Sequence, residues 1–174
     1  VTAIVAVTNH SDEDGRFLAQ LYVQQPYTDY DRENLVEKSA VTFLNSAKVD
    51  VAAGATEEVT ITVPAKYLAS YDYRNAKTWI LDAGEYYFTA AAGAHAAVNN
   101  ILAAQGRTTA DGMDAEAAGT AVVWNGNTEL DTTSFAAENN VPVTNVADDA
   151  DLNYWTGDDT VTYLSRSDWD ATYP

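Results

Sequence analysis

Residues 66–102, KYLASYDYRNAKTWILDAGEYYFTAAAGAHAAVNNIL, run from a short turn of chain through a Tyr- and Trp-rich strand pair into an apolar half-helix. Trp79 and Leu81 open one strand, Asp82, Ala83 and Gly84 turn the chain, and Tyr86, Phe88 and Ala90 then alternate with Glu85, Tyr87 and Thr89. A period of two on either side of a Gly-containing turn specifies a hairpin with one buried face. Val98, Ile101 and Leu102 recur at helical spacing, which predicts a short amphipathic helix over 94–105, laid on the sheet. Nothing in the stretch is built to perform chemistry.

The same alternation continues upstream. Val59, Ile61 and Val63 alternate with Thr60 and Thr62, the clearest half-buried strand in the chain. Pro64 ends it, and residues 65–70 are too short for a stable helix but suit a single turn across the open end of a sandwich. Val1 to Thr8 is β-branched and apolar, turn residues fill 9–15, and Phe17, Ala19, Leu21 and Val23 can share a face, so these two strands are expected to pair as a hairpin around an acidic loop. Residues 25–33 form a polar, aromatic crossover that Pro26 keeps out of any central strand. Residues 36–51 read as extended, with Val41, Phe43 and Val49 as core candidates. Six short strands before residue 92, separated by turns, argue for an antiparallel sandwich rather than an alternating α/β fold.

A chain of 174 residues suffices for one core and an appended segment. Its formal net charge of −17 repels phosphate backbones and anionic lipid, so neither nucleic acid nor membrane is expected as a partner. There is no Cys, which excludes disulfides, thiolate chemistry and Cys-based metal sites. No apolar run approaches the roughly 18 residues that span a bilayer. After Gly106 the character changes: residues 107–174 hold 13 acidic and 2 basic side chains, with short apolar islands such as Val122-Val123-Trp124, Phe135 and 161–164. This predicts a mostly irregular extension that borrows burial from a neighbouring surface, with Trp124, Trp155, Tyr163 and Trp169 as anchors. Val1 opens directly in a strand pattern, so the chain is expected to be a piece of a longer protein. The compartment stays open, with a soluble protein of the bacterial cytoplasm as the expectation.

Four stretches, VTAIVAVTN (1–9), FLAQLYVQQPYT (17–28), VDVAAGATEEVTITVPAKYLASYD (49–72) and WILDAGEYYFTAAAGAHAAVNNIL (79–102), resemble the fibronectin type III-like domain of glycoside hydrolase family 3, the β-glucosidase and β-xylosidase family. The resemblance implies an all-β, immunoglobulin-like sandwich over residues 1–106, followed by the acidic extension 107–174. It further implies a non-catalytic structural module that positions the catalytic domains of the same polypeptide, since the family's nucleophile Asp and acid/base Glu lie in other domains. VADDADLNYW (146–155) and VTYLSRSDWDATYP (161–174) are similar to the linker of family members whose barrel domain follows the fibronectin-like one. The family domain usually has a strand before the VTAIVAVTN position, which is absent here, and residues 107–145 carry none of its motifs. The alternative is an independent carbohydrate-binding or adhesion module.

With 26 carboxylates available, an Asp/Glu pair at any spacing says little about glycoside hydrolysis, which requires a set separation in space. His10 and His95 have no second ligand at metal spacing, and no G-x-S-x-G elbow holds a nucleophilic Ser. No cofactor is expected. Asp149, Asp151 and Asn153 alternate as calcium-loop ligands would, though Tyr154 stands where such a loop needs Gly. Asn9-His10-Ser11 is a glycosylation sequon of chance frequency. Tyr27, Tyr30 and Arg32 in the crossover, with Arg166 and Trp169 near the end, are the candidates for a domain interface or a substrate rim, because rings and guanidinium groups pack on neighbouring protein or on a sugar face.

Overall fold

The structure, a computed structural model, describes residues 1–114, 117–136, 146–158 and 160–167. Strands β1 (Thr2–Thr8) and β4 (Thr56–Thr62) make one layer. The facing layer is four-stranded, β2 (Gly15–Gln24), β3 (Thr42–Val51), β7 (Gly84–Ala91) and β8 (Ala121–Asn127), in the spatial order β3-β2-β7-β8. Every pairing is antiparallel, which makes the fold an immunoglobulin-like sandwich. A small hairpin, β5 (Ser70–Asp72) with β6 (Thr78–Ile80), follows the 3-10 turn Ala65–Leu68. Helix α1 (Asp29–Asn34) sits in the crossover after β2, α2 (Ala94–Ala104) follows β7, and α3 (Leu152–Thr156) lies in the extension.

Alternation decides what is buried. Ala19, Leu21, Ile61 and Val63 pack against Val5, Val59 and Ala47, while Val23, Leu68, Leu81 and Tyr86 form a second cluster joined to the first through Leu44. Each fully buried aliphatic or aromatic side chain contributes about 1.5–3 kcal/mol relative to exposure. Helix α2 seats Ala97 and Ile101 inward, and its buried Asn100 donates to Thr89 Oγ1 at 2.9 Å and accepts from the Gly119 amide at 3.0 Å. A Cβ at Gly119 would lie 2.8 Å from Asn100 Nδ2, so the bare backbone permits this approach.

Two expectations about the strands are corrected. Strands β1 and β2 do not form a hairpin, because β1 pairs with β4 and β2 with β3 and β7. The loop between them crosses from one layer to the other, held by buried Asn9, which donates to the carbonyls of Glu13 (2.8 Å) and Val51 (3.1 Å). That burial also closes the sequon. Phe43 is 51% exposed rather than core, because a bulge opposite Leu21 and Tyr22 turns Leu44 inward and sends Phe43 out to meet the Tyr22 ring edge to face. Val41 and Val49 are half-buried. The crossover contains α1, whose start is fixed by Thr28 and Asp31 in a reciprocal capping box.

Within the extension, the island Val122-Val123-Trp124 is the middle of β8, and Trp124 packs on the buried Tyr86 ring. Phe135 packs against the second core cluster. Trp155 and Tyr163 do not anchor the extension to the sandwich: both remain more than half exposed and instead hold the α3 turn together, Trp155 Nε1 donating to the Asp149 carbonyl and the Tyr163 hydroxyl to Asp151. Trp169 lies outside the described residues.

Candidate functional site

The crossover end of the sandwich gathers the buried charge of the described residues. Thr28 caps α1, and Asp31, third in the helix, returns one carboxylate oxygen to the Thr28 amide at 2.7 Å. Its other oxygen meets Lys38 Nζ at 2.8 Å. Lys38 also donates to Asp82 and to the Pro26 carbonyl, while Asp31 Oδ1 and Asp82 Oδ1 are buried with no hydrogen-bond partner among the described residues, so the cluster is held by charge more than by complete hydrogen bonding. All three charged side chains are at most 2% exposed. Burial pushes the Asp82 carboxyl up from its ordinary value, Lys38 pulling it back down and Asp31 adding to the rise. The Asp82 carbonyl accepts from the Tyr86 hydroxyl at 3.0 Å, and burial raises that phenol well above its ordinary value. Gly84 turns the chain beside Pro26 with φ +123°, a conformation that favours glycine.

A third buried carboxylate, Asp72, organises the β5–β6 hairpin. Asp72 accepts the amides of Arg74, Asn75 and Ala76 at 2.9–3.0 Å and the Tyr30 hydroxyl at 2.5 Å. Burial alone would raise Asp72, but these four donors outweigh it and hold the group below the usual carboxylate range. Tyr30 thereby ties α1 to the hairpin.

The end of the extension returns to this crossover. Ser165 Oγ donates to Glu37 Oε1 at 2.6 Å, and the Arg166 amide to Glu37 Oε2 at 3.1 Å. The Arg166 guanidinium reaches the carbonyls of Lys38 and Ser39 and sits 4.8 Å from the Tyr27 ring centre. Arg32, paired with Asp29, sits 5.0 Å from the same ring. Tyr27 therefore carries two cations, a cation–π arrangement that fixes both guanidinium groups.

Of the residues nominated from sequence, Tyr27, Arg32 and Arg166 meet at one ring, Tyr30 turns to Asp72, and Trp169 falls outside the described residues. Sequence reasoning missed Glu37, Lys38, Asp31, Asp72 and Asp82. Only the Thr28-x-x-Asp31 spacing carried a readable signal, that of a helix start. Asp151 caps α3 through the Asn153 amide, and Asn153 spends its own side chain on the Val161 backbone. Among the described residues no group of three or more His, Asp or Glu side chains could hold a metal ion. The buried carboxylates have no access to a substrate: Asp31 and Asp82 are sealed around Lys38, and Asp72 is fully buried.

Residues 18–94 match the fibronectin type III-like domain. No curated protein matches the chain. Among solved structures, the chain is similar to β-glucosidase 3B of Thermotoga neapolitana in complex with α-D-glucose at 23% identity and a TM-score of 0.44, over 53% of this chain and 12% of that one. A β-glucosidase of Paenibacillus barengoltzii is 22% identical with a TM-score of 0.48, covering 74% and 12% of the two chains. The family 3 β-glucosidase of Bifidobacterium adolescentis is 20% identical with a TM-score of 0.47, covering 71% and 14%. The matched region thus spans about one-eighth of the length of those enzymes. Among the described residues no helix is long and apolar enough to cross a membrane.

Proposed function

We propose that the chain is a non-catalytic module of a larger family 3 glycoside hydrolase of β-glucosidase type, in which residues 1–106 together with strand β8 form a rigid sandwich and the rest of 107–174 an arm joining it to a catalytic domain. The reading is carried by one observation: the arm is clamped to the crossover, Ser165 and Arg166 on Glu37 and Arg166 on Tyr27. A clamp between residues 165–166 and the crossover fixes the direction in which the polypeptide leaves the module. Catalytic groups contributed by separate domains need such fixing, because an Å-scale misplacement can cost about 100-fold in rate. The resemblance of the four sequence stretches to family 3 enzymes and the match of residues 18–94 to the fibronectin type III-like domain support the reading.

The test is a titration of the purified 174-residue chain with cello- and xylo-oligosaccharides by calorimetry, alongside an aryl-glycoside turnover assay. The proposal expects neither saturable binding nor turnover. Saturable binding would favour an independent carbohydrate-binding module. Turnover abolished by replacing a single carboxylate would make the chain a hydrolase in its own right.

A further inference from the structure

The surface between Val59 and Leu81 differs in charge from the rest of the molecule. Lys66, Arg74 and Lys77, one third of the nine basic residues, lie there exposed, and the only acid of the stretch, Asp72, is buried. Asp72 is already satisfied by three loop amides and Tyr30, so it does not serve these cations. Among the described residues none of the three has a carboxylate within ion-pair distance. In a protein of net charge −17 this is a local positive face.

The face also carries rings. Lys66 and Arg74 lie 5.5 and 5.4 Å from the ring centres of Tyr67 and Tyr73, and those rings and Trp79 are each about half exposed. Exposed aromatic rings with arginine are the composition of protein interface centres. Tyr71 and Trp79 meet edge to face at 74°, which gives a ridge rather than the coplanar platform on which a sugar ring would lie flat. A chain of net charge −17 repels an acidic partner overall, so a face of exposed cations would draw such a partner and set its orientation.

We propose that the β5–β6 hairpin face docks a carboxylate-bearing protein surface belonging to a flanking domain of the same polypeptide. This rests on the preceding reading that flanking domains exist. The test treats the full-length polypeptide with a carbodiimide, which joins a lysine amine directly to a carboxylate it touches, and maps the joined peptides by mass spectrometry. Lys66 and Lys77 are expected to link to Asp or Glu outside the 174 residues. Arg74→Glu, which keeps both amines, is expected to lower the yield of those links roughly fivefold without moving the thermal midpoint of the isolated chain. Links from Lys66 and Lys77 only to residues 107–174, or none from them while other residues link to a flanking domain, overturn the docking face and leave the positional role intact. No link from any residue of the chain to a flanking domain overturns both. Binding of the isolated chain to polygalacturonate, weakened by Arg74→Glu in the absence of interdomain links, assigns the face to an anionic glycan and equally overturns the proposal.

Discussion

The two ends of the sandwich are closed by different chemistry. At the start of β2 the loop is held by a neutral group, Asn9, and the nearest ion pair, Arg16 with Asp50, is exposed on the surface. At the end of β2 closure depends on a buried ammonium shared by two buried carboxylates, with a third carboxylate ordering the adjacent hairpin. A buried amide satisfied by carbonyls is a cheap way to close a loop. A buried charge cluster carries a desolvation cost that pairing offsets only in part, here with one oxygen each of Asp31 and Asp82 left without a hydrogen bond among the described residues, and it adds little net stability over an apolar substitute. Charge was placed at the end where the arm docks, and there it specifies geometry: Lys38 holds α1 to the β6–β7 turn, and the neighbouring Glu37 receives the arm.

The contrast can be broken most forcefully at Lys38. Lys38→Ala leaves Asp31 and Asp82 facing each other uncompensated, and is expected to cost about 3–5 kcal/mol in urea unfolding. A loss below 1 kcal/mol would mean that water or rearrangement already serves those carboxylates. Asn9→Ala at the other end should cost about 1–3 kcal/mol, since it orphans two carbonyls and the Ser11 amide and hydroxyl that donate to its oxygen. Arg16→Ala, by comparison, should leave the unfolding midpoint unchanged, its pair being fully solvated.

Acidity sharpens the comparison further. Asp82 is raised in the fold, so on acidification the folded state takes up its proton before the unfolded state does. Its contribution to stability therefore grows as pH falls through the raised value and levels off below the ordinary value of about 4. Asp72 is depressed and acts with the opposite sign: its contribution is complete above the ordinary value and is lost as pH falls through the depressed one. Thermal midpoints measured from neutral pH downward should show Asp82→Asn losing the acid-side gain and Asp72→Asn losing the acid-side decline. Identical profiles for the two variants would contradict the assignment.

The sandwich was legible in sequence because strand alternation is local, and Val59, Ile61 and Tyr86 each announce their face through their immediate neighbours. Pairing was less legible. The β1–β2 loop looked like a hairpin turn because nothing in Asn9 to Gly15 reveals that Asn9 reaches Val51, 42 residues away. The bulge that turned Phe43 outward depends on register with β2, which no local pattern encodes. Strand β8 was hidden by brevity, three apolar residues in a polar acidic run. At the candidate site, Tyr27, Arg32 and Arg166 could be nominated from residue type alone. Lys38 and Asp82 could not, since a buried charge has the same letters as a solvated one.

The positional role depends on the hold that Glu37 has on Ser165 and Arg166, and Glu37→Gln in the full-length polypeptide tests it most directly. Aryl-glycoside kcat/KM should fall about tenfold or more as the arm loses its fixed exit, while the isolated 174-residue chain carrying the same substitution keeps its unfolding midpoint. Unchanged turnover in a variant whose arm has become open to limited proteolysis would contradict it.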